Sequence, residues 1–162
     1  MQGEATGRDA GGPPVIRPLG SFDELSPGQE FQFGSIRMEL AEILDFARRW
    51  DPQPFHIDPE AAAAGPFGGI IASGLHTQAA CFGHIIRSGW VAQVSMGGAE
   101  QVVRWPAPVR PGDEIALSAR IEALSPSRSK PDRGVVKVLY TGRRAADGTV
   151  VLEILGTHIF KR

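Results

Sequence analysis

Residues 69–89 read GIIASGLHTQAACFGHIIRSG, and the fold turns on how they are read. Leu75, Ala79, Phe82 and Ile86 recur at i, i+4, i+7 and i+11, one stripe of a helix. Ala72, Ala79, Ala80 and Gly83 are small, so other backbone can come close. The spacing predicts a helix within 69–89, apolar over enough of its circumference to be buried on several sides.

The chain changes character on either side of this helix. Downstream, AEQVVRW (99–105), DEIALSARIEAL (113–124), GVVKVLYTGRRA (134–145) and VVLEILGTHIFKR (150–162) are rich in Val, Ile and Leu and alternate in polarity. They read as four strands, with RPGD and ADG as turns and SPSRSKPDRG (125–134) as a polar loop. Upstream, LAEILDFARRW (40–50) places Leu40, Ile43, Leu44 and Ala47 at helical spacing, with Asp45 facing Arg49 at i+4. Within DPEAAAAGPFGG (58–69), Asp58 is a cap, Pro59 opens a short helix and Gly65-Pro66 stops it. EFQFGSIR, with Phe31, Phe33 and Ile36, reads as a first short strand. Helices followed by a block of strands mean an α+β fold with an antiparallel sheet. One long helix against five strands predicts a sheet wrapped around it. Residues 1–20, rich in Gly and Pro, read as a flexible tail, and 21–162 as a single domain.

The 162 residues suffice to bury roughly two thirds of the unfolded surface. Cys81 is the only cysteine, which excludes an intrachain disulfide and fits a reducing, cytoplasmic setting. Seventeen basic against eighteen acidic residues argue against a nucleic-acid or membrane-surface partner. No run reaches the roughly 18 apolar residues of a membrane span. The N-terminus shows no apolar secretory segment.

Between the first two helices lies RRWDPQPFHID (48–58). Pro52 and Pro54 fix their own φ and drive Asp51 and Gln53 out of the helical region. The segment is therefore expected to be extended or turned, holding Asp51 and His56 at a defined separation.

From Asp51 to Gly74 the chain resembles the signature of the MaoC-like hydratases, a hot-dog-fold family that includes the (R)-specific enoyl-CoA hydratases. Asp51, Pro54, His56 and Gly74 fall on the family pattern, and the resemblance extends over roughly residues 27–162. The common form is Gly-Asp-x-Asn-Pro-x-His. Here Trp50 stands for the glycine and Gln53 for the asparagine, and Ser73 takes a place before the helix glycine that is often histidine. The resemblance implies a sheet wrapped around the 74–87 helix, and a homodimer or dimer of dimers with the site between subunits. The implied reaction is reversible addition of water to a 2-enoyl-CoA, giving an (R)-3-hydroxyacyl-CoA, with no cofactor beyond the coenzyme A of the substrate.

That chemistry sets roles. Asp51 and His56 share a water and the proton transfers. The Gly74 amide, free at a helix N-terminus, faces the thioester oxygen as it gains charge. Gln53, Phe55 and Ser73 are candidate substrate contacts. Arg128, Lys130 and Arg133 of the polar loop are candidates for the coenzyme A phosphates. His76 and His84 are two helical turns apart and His158 is distant, with no metal-binding motif, so no metal is expected. Thioesterases share this fold but carry a carboxylate on or near the central helix, and 74–87 has none. Two rivals remain: a hydratase of another thioester (a branched dicarboxylic acyl-CoA or an acyl-carrier-protein conjugate), and a non-catalytic acyl-CoA-binding hot dog.

Overall fold

The structure, a computed structural model, describes residues 16–162. Fifteen of the twenty residues read as a tail lie outside the described residues. The folded body starts before residue 21, because Leu19 is buried in the core and its amide donates to the Trp90 carbonyl at 2.8 Å.

The elements run β1 (Glu30–Arg37), α1 (Leu40–Trp50), α2 (Pro54–Ile57), α3 (Pro59–Ala64), α4 (Gly74–Arg87), β2 (Ser95–Arg104), β3 (Glu114–Pro126), β4 (Arg133–Arg144) and β5 (Val150–Lys161). The strands form one sheet in the order β1-β3-β4-β5-β2, with every pairing antiparallel. The expected α+β class is what the chain adopts. β3, β4 and β5 alternate buried and exposed residues, so one face of the sheet is the core face. Ile121, Val136, Val138, Tyr140, Ile154 and Phe160 lie on it. In β1 the register shifts between Gln32 and Ser35, where Gly34 takes a φ of 72°, the left-handed geometry of a bulge.

The helix bounds match the sequence reading, but the packed face of α4 does not. Thr77, Cys81 and Ile85 face the core, while Leu75 and Ile86 are 49% and 41% exposed. The stripe Leu75–Ala79–Phe82–Ile86 instead edges the solvent side. Both stripes are apolar enough to satisfy a helical period, and the sheet chooses between them. On α1, Ile43 and Ala47 are buried and Leu40 is exposed. Asp45 meets Arg48 at 3.8 Å rather than Arg49, whose guanidinium lies over the Trp50 ring.

The proline segment takes one of its two expected forms. Asp51 and Gln53, each before a proline, are non-helical as expected. Pro54–Ile57 then winds into one helical turn, with Pro54 at its first position, where a missing N–H costs nothing. His56 therefore rides on a helical turn, the turned form of the two the prolines allow.

Candidate active site

α1 ends at Asp51, whose amide donates to the Ala47 carbonyl at 2.9 Å. Its side chain collects three neighbours. Oδ2 accepts from the Ser73 hydroxyl at 2.6 Å, Oδ1 accepts from Gln53 Nε2 at 2.8 Å, and His56 Nε2 lies 3.4 Å from Oδ2. The Ser73 hydroxyl above all holds the Asp51 carboxyl below the usual carboxylate range; burial works against it, and Gln53 and His56 add to it. Asp51 is thus an anion at neutral pH.

His56 is buried, and its other nitrogen, Nδ1, lies 2.7 Å from the Ile71 carbonyl oxygen. A carbonyl only accepts, so Nδ1 carries the proton and Nε2 is left facing Asp51. Phe55 packs edge-to-face against the imidazole, with centroids 4.5 Å apart, and closes one side of it.

Ser73 joins the pair to α4. Fully buried at the helix N-cap, its oxygen accepts from the Leu75 amide at 3.2 Å while its proton goes to Asp51. The Gly74 amide makes no hydrogen bond among the described residues. Gly74, His56, Phe67, Thr77 and Trp105 line a cleft of about 350 Å³. Asp51 forms no part of its wall and reaches it through His56.

The structure thus brings together Asp51, His56, Ser73 and Gln53, with Gly74 across the cleft. Gln53 and Ser73, read as candidate substrate contacts, both hydrogen-bond the Asp51 carboxylate. Phe67 supplies the aromatic wall, and Phe55 lies behind it, 5.5 Å away centroid to centroid. Arg128, Lys130 and Arg133 are not brought here. They sit at the β3–β4 hairpin, beyond the Pro126–Gly134 pair, whereas the cleft lies at the ladder's other end near Ile115–Arg144. There, Arg144 donates to the carbonyl of Pro108, a residue of the cleft wall, at 2.7 Å. Eleven residues of strand put the hairpin about 35 Å away, and Arg133 is engaged by its neighbour Asp132.

Trp105 is the residue the sequence reading missed. A Cβ on Gly74 would fall 2.8–3.0 Å from three atoms of its indole ring. Gly74 is glycine partly because a tryptophan leans on it. The available signal was a tryptophan at a strand end, immediately before the PAPVRPGD segment. Of the other histidines, His84 Nε2 lies 2.9 Å from the Phe33 carbonyl and His76 stacks on Phe46 at 4.9 Å. Among the described residues no group of three His, Cys, Asp or Glu side chains gathers around one point, and no helix is long and apolar enough to cross a membrane.

Comparison with known proteins gives consistent matches. The sequence profile of the MaoC-like domain family matches residues 23–142. An uncharacterized protein, YdeM, from Bacillus subtilis (strain 168) is 36% identical over 119 residues, 73% of this chain and 83% of YdeM. The crystal structure of a MaoC-like dehydratase from Rhodospirillum rubrum superposes with a TM-score of 0.80 at 38% identity, covering 86% of this chain and 96% of the other. An (R)-hydratase from A. caviae involved in PHA biosynthesis shares the fold, with a TM-score of 0.65 at 24% identity over 85% of this chain and 96% of its own.

Proposed function

The chain belongs to the MaoC-like domain family, with its hot-dog fold, and from that premise we propose that it hydrates a 2-enoyl-CoA reversibly to an (R)-3-hydroxyacyl-CoA. The family and its (R)-hydratase neighbours support a hydratase in general. The observation that supports this site is the convergence of Asp51 and His56 at 3.4 Å beside a cleft shared with the unpartnered Gly74 amide.

The chemistry balances without a metal or a redox partner. Water is held between Asp51 Oδ2 and His56 Nε2. Nε2 takes one of its protons as the oxygen bonds to C3, and the π electrons move to the thioester as an enolate. The Gly74 amide, at the positive end of α4, donates to that enolate oxygen. His56 then returns a proton to C2, and Asp51 offsets the transient imidazolium charge. One imidazole serving both steps delivers oxygen and proton to the same face of the double bond.

The same reading carries a homodimer. β2 is an open sheet edge with nine of its ten residues exposed, Met96 and Val102 among them, and the exposed α4 stripe runs beside it. Arg128, Lys130 and Arg133 meet a coenzyme A phosphate only where a partner subunit carries its hairpin to this cleft.

The test is wild-type protein with trans-2-enoyl-CoA substrates of graded length, followed by loss of the conjugated absorbance and chiral analysis of the product. An (R)-3-hydroxyacyl-CoA is expected. A flat signal at every length, with the thioesters still bound, favours the non-catalytic acyl-CoA-binding reading.

A further inference from the structure

The cleft at Gly74 is poor in hydrogen-bond donors, and its poverty singles one out. Of the side chains lining it, only those of His56, Thr77 and Trp105 carry a polar hydrogen. His56 directs Nδ1–H at the Ile71 carbonyl and turns Nε2 toward Asp51. The Thr77 hydroxyl donates back to the Ser73 carbonyl at 3.2 Å. That leaves the indole Nε1–H of Trp105 as the one side-chain donor of the wall without a protein partner among the described residues. The ring is half-exposed, so the N–H is accessible to a ligand.

Its place is set from two sides. Trp105 stands immediately after β2, whose last residue, Arg104, pairs with Glu153 of β5. Pro106 follows and has no N–H with which to extend the ladder. The ring then lies on the start of α4: a Cβ on Gly74 would fall 2.8 Å from Cε2, 2.9 Å from Cδ2 and 3.0 Å from Nε1. The five-membered half of the indole, the half with the N–H, is thus the half against the helix N-terminus. A Cβ lies roughly 2.5 Å from its own amide nitrogen by covalent geometry, which puts Nε1 within about 5.5 Å of the Gly74 nitrogen. Two N–H donors that share one oxygen, each about 2.9 Å from it, stand no more than about 5.8 Å apart. One oxygen in the cleft can therefore take both bonds.

Resting on the hydratase reading, we propose that Trp105 is a catalytic residue: its Nε1–H donates to the thioester oxygen beside the Gly74 amide and completes a two-donor oxyanion hole. As the water oxygen bonds to C3, the π electrons move onto that oxygen, which becomes an enolate. The apolar wall of Phe67, Ile71, Pro108 and Val109 offers this charge nothing. The indole is a donor only and keeps its proton throughout, so it steadies the enolate without competing with His56 for the proton in transit. Its hydrogen bond strengthens as charge develops and weakens when C2 is protonated and the carbonyl re-forms. Such a contact lowers the barrier more than it tightens substrate binding.

Trp105→Phe keeps an aromatic ring on Gly74 and removes the N–H. Its kcat for hydration of a trans-2-enoyl-CoA is expected to fall about 10–100-fold, toward the low end for an oxyanion donor because the ring is half-exposed, with KM little changed. A second readout needs no turnover. Bound acetoacetyl-CoA is titrated by its enolate absorbance, since donors at the enolate oxygen let it ionise at lower pH than in free solution. In Trp105→Phe that midpoint is expected to rise by about one pH unit, tenfold in the equilibrium. Trp105→His, which restores a ring N–H, recovers part of the shift, and thermal denaturation of each variant checks that the fold is kept. A kcat within twofold of wild type in Trp105→Phe, a loss confined to KM, or a midpoint that the substitution leaves unmoved makes the indole a packing wall and overturns the proposal. Failure of wild type to hydrate any enoyl-CoA, while the enolate shift and its loss in Trp105→Phe stand, overturns the hydratase reading and leaves the two-donor site.

Discussion

His56 and His158 are both buried, yet they are equipped for different work. His56 has a carbonyl on one nitrogen and a carboxylate beside the other. His158 has a phenol on one nitrogen and an apolar cavity before the other. An anion at 3.4 Å makes a protonated imidazole tolerable, so His56 can carry a proton through a reaction cycle. No charge compensates His158, so it offers a hydrogen bond and nothing more. The proposed hydration gives proton chemistry to His56 alone, beside the N-terminus of α4.

The comparison breaks most visibly if the histidine beside the carboxylate is replaced. His56→Gln is expected to lower kcat for enoyl-CoA hydration by about 10²–10⁴-fold, the usual contribution of a general acid–base group, with the folded far-UV spectrum retained. A rate within twofold of wild type removes the distinction between the two rings.

The next effect is on packing at the helix N-terminus. Gly74→Ala drives a Cβ into the Trp105 indole, and overpacking of this kind costs about 1–3 kcal/mol. Its Tm is expected to fall. Trp105→Ala in the same chain recovers most of that loss, a coupling that a double-mutant thermal denaturation series measures directly.

The smallest effect is on titration. The folded pKa of Asp51 is depressed, so its contribution to stability is present above the ordinary carboxylate value of 3.8 and is lost as pH falls through the folded pKa. Removing the Ser73 hydroxyl narrows that difference. In Ser73→Ala the Asp51 carboxyl resonance should titrate at higher pH than in wild type, while the stability gained at neutral pH shrinks. An unchanged midpoint assigns the depression to Gln53 and His56 instead.

Much of this was legible in the sequence, and what was not has definite causes. The bounds of α1 follow from apolar spacing and from Asp51-Pro52 as a stop; apolar spacing reveals α4, and the family pattern marks Gly74 as its start. The face of α4 that packs was hidden, since Leu75–Ala79–Phe82–Ile86 and Thr77–Cys81–Ile85 both satisfy the period and only the sheet decides. The helical turn Pro54–Ile57 was hidden because proline reads as a breaker, although at the first helical position it breaks nothing. Asp51 and His56 stood out by type and spacing. Ser73 and Gln53 were seen, but their partner was not, because the link from Ser73 to Asp51 closes across 22 residues. Strand register decides the rest. It carries Arg128, Lys130 and Arg133 to the far end of the sheet and brings Tyr140 to His158 over Gly156.

The central claim is that the Asp51 carboxylate and His56 act together on water at the Gly74 end of α4. Hydration of a trans-2-enoyl-CoA by wild type and by Asp51→Asn, at matched folded concentration and neutral pH, tests it most directly. The account predicts turnover by wild type and a loss of about 10²–10⁴-fold in kcat for the variant. Hydration by Asp51→Asn at the wild-type rate would contradict it.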